Sequence, residues 1–185
     1  MSDPIMLYLV RHGEAEASWE DSLDPGLSKK GIEQAIAVAK CFGTKEQLPI
    51  YSSPLARARQ TAAPLAELWQ REVKIVDSLG EIPTPKGLSG SRLDWLLSIK
   101  DCAWQDLPPE LSEWQHGIIQ FIERQEQPAV IFSHYIAINL IVGWVKNIDR
   151  VVTFHPDNCS ITRIKRVGAT WSLDKEGEQA SSNVL

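Results

Sequence analysis

Three short stretches of this chain bring together side chains able to hold and attack a phosphate group. Arg11-His12-Gly13-Glu14 follows an apolar run, Ser52-Ser53-Pro54 follows a second and is trailed by Arg57, and Ser133-His134 closes a third. Arginine offers a planar fork of donors that meets phosphate oxygens two at a time. A neutral imidazole keeps a lone pair that can attack phosphorus and give a phosphohistidine. Gly13 would let the backbone approach an anion closely. Phosphoryl transfer rests mostly on positioning and charge stabilisation, which two arginines and a second histidine can supply without a metal. The chemistry these residues suit is the handling of a tetrahedral dianion.

For such groups to meet, each must stand at the same end of one sheet. The run Ile5–Val10 is nearly all apolar, as expected of a strand buried on both faces. Ile32, Ala35, Ile36, Ala39 and Phe42 recur at helical spacing after Ser28, a fitting N-cap. "LPIYSS" reads as a second strand and "SPLARARQTAAPLAELW" as a helix. Ser53 would cap that helix, Pro54 would occupy its first position, and Pro64 should kink it or weaken it. "VKIVDSL" and "AVIFS" supply further strands, Leu111 to Ile122 and Tyr135 to Lys146 further helices, and "SITRIKR" and "TWSLD" two late strands. The alternation predicts an α/β fold, a three-layer α/β/α sandwich around a mostly parallel central sheet. Ligands of open α/β sheets bind beyond the carboxyl ends of the strands, where all three stretches fall. Between the elements, "GEIPTPKGLSGSRLDW" and "DCAWQDLPPE" read as irregular loops that could rim or cap the site.

Composition sets the frame. At 185 residues the chain suits one domain, residues 1–174, with a polar and flexible tail over 175–185. A net charge of -5 argues against a nucleic-acid binder. Three cysteines, odd in number and irregularly spaced, suggest a reducing compartment and no disulfide framework. No leader pattern or membrane-length apolar run occurs, so the expected location is the cytoplasm, with no membrane partner.

The Arg11-His12-Gly13-Glu14 tetrad resembles the signature of the histidine phosphatase superfamily, which includes the cofactor-dependent phosphoglycerate mutases. "DPGLSKKGIEQA", "YSSPLARARQTA", "LGEI", "VIFSH" and "DNCSITRI" resemble further stretches of that family, in order, so the likeness spans Ile5 to Ile164. It implies a double-displacement phosphatase for phosphate monoesters, needing no metal or organic cofactor. His12 would be the nucleophile, Arg11, Arg57 and His134 would hold the transferring group, and Glu81 of "LGEI" would be the proton donor. The chain departs from the mutases in Tyr135-Ile136-Ala137 after the second histidine, in "IPTPKGLSG" after Glu81, and in Ser18 where an asparagine is usual. These departures argue against a mutase and leave the substrate open between a phosphorylated small molecule and a phosphoprotein.

Two other readings compete. A protein phosphohistidine phosphatase would fit the compact chain, and a catalytically weak phosphate- or phosphopeptide-binding module would keep the pocket without turnover. Glu14, Glu16, Glu20, Asp21 and Asp24 could suggest a metal with His12, but a metal would not explain Arg11 and Arg57. They read as an acidic solvated loop. His155 is expected in a surface turn and His116 on an exposed helix face. Trp114 and Trp144 are expected in the core, while Trp19, Trp95 and Trp104 lie near loops that could line the mouth.

Overall fold

A computed structural model describes residues 4–17, 24–44 and 47–180. Its central element is β1 (Ile5–Arg11), flanked by β4 (Ala129–Ser133) in parallel and by β5 (Ile161–Val167) in antiparallel pairing. Beyond β4 lie β2 (Ile50–Ser52) and β3 (Val73–Ile75), both parallel, and beyond β5 lies antiparallel β6 (Thr170–Lys175). The sheet order is β3-β2-β4-β1-β5-β6.

Alternation along β1 explains the layers. Leu7 and Leu9 pack on one face with α4 (Ser112–Glu123) and α5 (Tyr135–Lys146), while Tyr8 and Val10 face α1 (Lys29–Phe42) and α2 (Ala56–Trp69). β4 repeats the division, with Ala129 and Ile131 on the first face and Val130 and Phe132 on the second. Helices on both faces of the sheet make the expected three-layer sandwich. A third apolar cluster, built on Ile82, Leu96, Leu111, Ile136 and Val151, supports a small cap over the start of α5.

Several local expectations are corrected. Ser28 does cap α1, accepting from the Gly31 N–H, but Ile32 and Ile36 point outward. The buried stripe is Gly31, Ala35, Val38 and Ala39, because small residues let α1 lie close to its neighbours. α2 begins at Ala56, later than Ser53 implied, and runs through Pro64 unbroken to Trp69. Part of the supposed loop is helical: Ser91 caps α3 (Arg92–Ile99), accepting from the Asp94 N–H, and Leu96 and Ile99 anchor it.

The described residues after β6 are hydrogen-bonded to the segment around β5. The Asp157 N–H donates to Glu178, the Ala180 N–H to His155, and the Gly177 N–H to the Thr162 hydroxyl. Residues 181–185 lie outside the described residues, as do Ser18, Trp19, Glu20 and Asp21. Trp114 and Trp144 are half-buried against the α4/α5 layer, and Trp95 and Trp104 pack on the cap.

Candidate active site

Register alone brings the two histidines together. Arg11 pairs with Ser133 across β1 and β4, so the next residues, His12 and His134, leave the sheet side by side. Their ring centroids are 5.1 Å apart. On the other side of β4, Ser52 pairs with Phe132, so Ser53 leaves β2 at the same level.

The tautomer of His12 follows from its partners. Nδ1 lies 2.7 Å from the Gly13 carbonyl, which can only accept, so Nδ1 carries the proton. Nε2 then holds the lone pair, and it accepts from Arg57 Nε at 3.2 Å. Burial, followed by the Arg57 and Arg11 charges, holds this imidazole well below its ordinary value of 6.5, against the smaller opposing effect of the Gly13 hydrogen bond. The ring is therefore neutral at physiological pH, with its lone pair on the nitrogen facing Arg57.

Both guanidinium groups are buried and fixed from behind. Arg11 donates from Nη1 to the Pro156 carbonyl at 2.8 Å and sits 5.0 Å above the Tyr135 ring. The Tyr135 hydroxyl in turn meets His155 Nδ1, so the residue that replaces the family's small one supports Arg11. Burial pushes this phenol up to about 12, with the Arg11 charge opposing. His155 is thus half-buried and partnered, where a surface turn was expected. Arg57 sits in the first turn of α2, with Nη1 3.9 Å from Asp24. Burial lowers both arginines, and the Glu81 charge is the largest opposing influence on each.

Glu81 reaches the pocket from the stretch before the cap and is buried. Its Oε1 accepts from the Ile82 N–H at 2.9 Å and the Ala137 N–H at 3.2 Å, and its Oε2 accepts from the Ile136 N–H at 3.2 Å. The carboxylate therefore caps α5, whose N-cap residue, His134, makes no capping bond of its own. That division of labour leaves the His134 imidazole available to the pocket. His134 is fully buried, and burial first, then His12, Arg57, Arg11 and Arg92, holds it well below 6.5.

Gly13 and Glu14 stand differently from the other tetrad residues. A Cβ on Gly13 would come 2.7 Å from the Gly31 carbonyl oxygen, so its close approach is to α1. Its N–H donates to the Thr61 hydroxyl at 3.0 Å. Glu14 accepts from the Ser28 hydroxyl and from Lys30 Nζ, both at 2.8 Å, and pins the exit of β1 to the start of α1. Asp24 accepts from the Ala56 N–H at 2.8 Å and so caps α2. The acidic residues described are thus structural partners, and among the described residues no group of three or more potential metal ligands occurs.

Five supporting residues have roles that the sequence reading did not assign. Thr61, one turn after Arg57, accepts from Gly13 and donates to the Arg57 carbonyl at 2.6 Å. Asn158 donates to the His12 carbonyl at 3.0 Å. Ser53 lies 2.7 Å from His134 Nε2 through its hydroxyl. Arg92, at the start of α3, donates to the Ile82 carbonyl and the Thr84 hydroxyl, which ties the Glu81 segment to the cap. Tyr135 is the fifth. Only the i, i+4 spacing of Arg57 and Thr61 offered a readable signal.

The sequence profile described as histidine phosphatase superfamily (branch 1) matches residues 7–86, a span that includes Arg11, His12, Arg57 and Glu81. Over that span, a little under half of the chain, the sequence is similar to the histidine phosphatase superfamily. Phosphoserine phosphatase 1 of Hydrogenobacter thermophilus is 39% identical over 82 residues, 42% of this chain and 39% of that protein. The putative phosphoserine phosphatase 2 of the same organism is 26% identical, over 90% of this chain and 92% of its own length. The phosphoserine phosphatase of Entamoeba histolytica, solved with 3-phosphoglyceric acid, superposes with a TM-score of 0.71 at 24% identity. That superposition covers 95% of this chain and 98% of the other. The shared fold therefore extends over nearly the whole chain, beyond the profile match. Among the described residues no helix is long and apolar enough to cross a membrane.

Proposed function

We propose that the chain is a metal-independent phosphatase that hydrolyses phosphate monoesters of small molecules through a phosphohistidine on His12. The observation that carries this reading is the His12 tautomer: a buried neutral imidazole whose Nε2 lone pair faces the Arg57 guanidinium, with the Arg11 charge also acting on the ring. Arg11 and Arg57 hold the phosphoryl oxygens and compensate their charge as it redistributes in the transition state. Nε2 attacks phosphorus, the N–P bond forms, and the ester P–O bond breaks. Glu81 gives its proton to the departing alkoxide. Oε1 already accepts two N–H bonds, so Oε2, which accepts one, has the lone pair that carries this proton. In the second half, water attacks phosphorus, Glu81 takes the proton, and the N–P bond breaks to release phosphate and His12.

A phosphorylated small molecule is favoured over a phosphoprotein because Arg11, His12, Arg57, Glu81 and His134 are all buried below the surface. The relatives bear names of the same substrate class. The test is hydrolysis of a chromogenic aryl phosphate in the presence and absence of EDTA. Turnover untouched by chelation, and lost together with a trappable acid-labile phosphoenzyme in His12→Ala, is the expected result. Turnover abolished by EDTA, or a phosphoenzyme that persists in His12→Ala, would overturn the mechanism.

A further inference from the structure

His134 and Ser53 form a buried pair that the mechanism above leaves without a proton assignment. Ser53 Oγ lies 2.7 Å from His134 Nε2, and neither residue is exposed. The Leu55 N–H donates to Ser53 Oγ at 3.2 Å and fills one of its lone pairs. Among the described residues, His134 Nδ1 is buried with no hydrogen-bond partner. Two proton arrangements are open to a neutral ring. If Nε2–H donated to Ser53, the serine proton would need a second acceptor, and Nδ1 would hold a buried lone pair. If Ser53 donates to Nε2, its own bonding is complete and the proton of His134 rests on Nδ1. The second arrangement leaves one unsatisfied group instead of two, and buried unsatisfied groups cost about 1–3 kcal/mol each. It also leaves the right kind of group, a donor, beside the cationic pocket where phosphoryl oxygens accept.

We propose that Ser53 is a positioning residue that fixes His134 as its neutral Nδ1–H tautomer, so that Nδ1–H donates to the transferring phosphoryl group. This rests on the reading of the pocket as a phosphoryl site. Burial of the ring among Arg57, Arg11 and Arg92 supports its neutrality, and the hydroxyl supplies the orientation that charge alone does not. Ser53 thus fixes on the second histidine the same Nδ1–H tautomer that the Gly13 carbonyl fixes on the first, but by donating to Nε2 rather than accepting from Nδ1. A group that sets a catalytic histidine's tautomer can matter as much as the histidine.

The experiment is long-range proton–nitrogen correlation spectroscopy of isotope-labelled full-length protein at neutral pH, with His134→Gln to assign the signals. The expected pattern is a neutral His134 protonated at Nδ1, with that signal moving when inorganic phosphate is added. Ser53→Ala should lose the fixed tautomer and reduce kcat on an aryl phosphate by about tenfold to a hundredfold, less than the full loss of one oxyanion donor. Ser53→Thr, which keeps the hydroxyl, should restore the tautomer and most of the rate. A wild-type ring protonated at Nε2, or on both nitrogens, would overturn the proposal, as would an Nδ1 signal indifferent to phosphate. An unchanged tautomer in Ser53→Ala would overturn the role of Ser53. The spectrum reads the Ser53–His134 bond without turnover, so failure of the phosphatase reading shows separately, as a correct tautomer in a protein that hydrolyses nothing.

Discussion

Mild acid should destabilise this protein, because folding keeps two histidines neutral. His12 and His134 are both held well below 6.5, while in the unfolded chain both return to about that value. The unfolded state then binds more protons than the native state, so stability rises with pH in this window and falls as pH drops through 6.5. With both rings neutral in the fold, going from about pH 7 to about pH 5.5 costs about 1.2 kcal/mol per ring, or about 2.5 kcal/mol together. Glu14, lowered from the ordinary carboxylate value by its hydrogen bonds to Lys30 and Ser28, titrates below this window. The assay is urea unfolding at the two pH values in a buffer free of phosphate, since a bound anion would shift the histidines. A variant with His12→Asn and His134→Gln should lose most of the pH dependence. A flat wild-type stability across the window, or an equal drop in the double variant, would refute the claim that these rings are neutral in the fold.

Two further outcomes follow from the geometry. Glu81→Gln should slow an alkyl phosphate by about 10²–10⁴-fold and a nitrophenyl ester, whose leaving group needs no proton, by less than about tenfold; equal slowing would remove Glu81 from the acid role. Gly31→Ala should lower stability by about 1–3 kcal/mol in urea unfolding, and an unchanged midpoint would contradict the packing. Its new Cβ would stand 2.1 Å from the Glu14 carbonyl oxygen, which is backbone and cannot swing aside.

The sheet and the polar ends of its strands were legible because burial writes itself into strands. Ile5–Val10 is apolar at every position, so its polar continuation at Arg11 marked a strand end, and β4 announced His134 in the same way. Helix faces were read less well. Ile32 and Ile36 carry the apolar signal of α1, yet the contact with neighbouring elements selected the smaller Gly31, Ala35 and Ala39. α3 was hidden among Gly, Pro and Ser residues, and its stability comes from the cap cluster more than from local propensity. The supporting residues were invisible for a further reason. Thr61, Asn158 and Ser53 act through single hydrogen bonds to residues 48, 146 and 81 positions away, and no local pattern encodes such partners.

Those distant partners explain why the site needs the whole chain. Arg11 and His12 are held from behind by Pro156 and Asn158, and the turn that carries both is itself fastened by Glu178 and Ala180. At the front, Glu81 substitutes for a missing cap on α5, and the imidazole of the N-cap residue is thereby left to the pocket. The same carboxylate is the group proposed to carry and deliver a proton. Proton transfer is thus assigned to a group that also holds the Ile136 and Ala137 N–H groups, so the acid and the start of α5 form one structural unit and a substitution at Glu81 touches both.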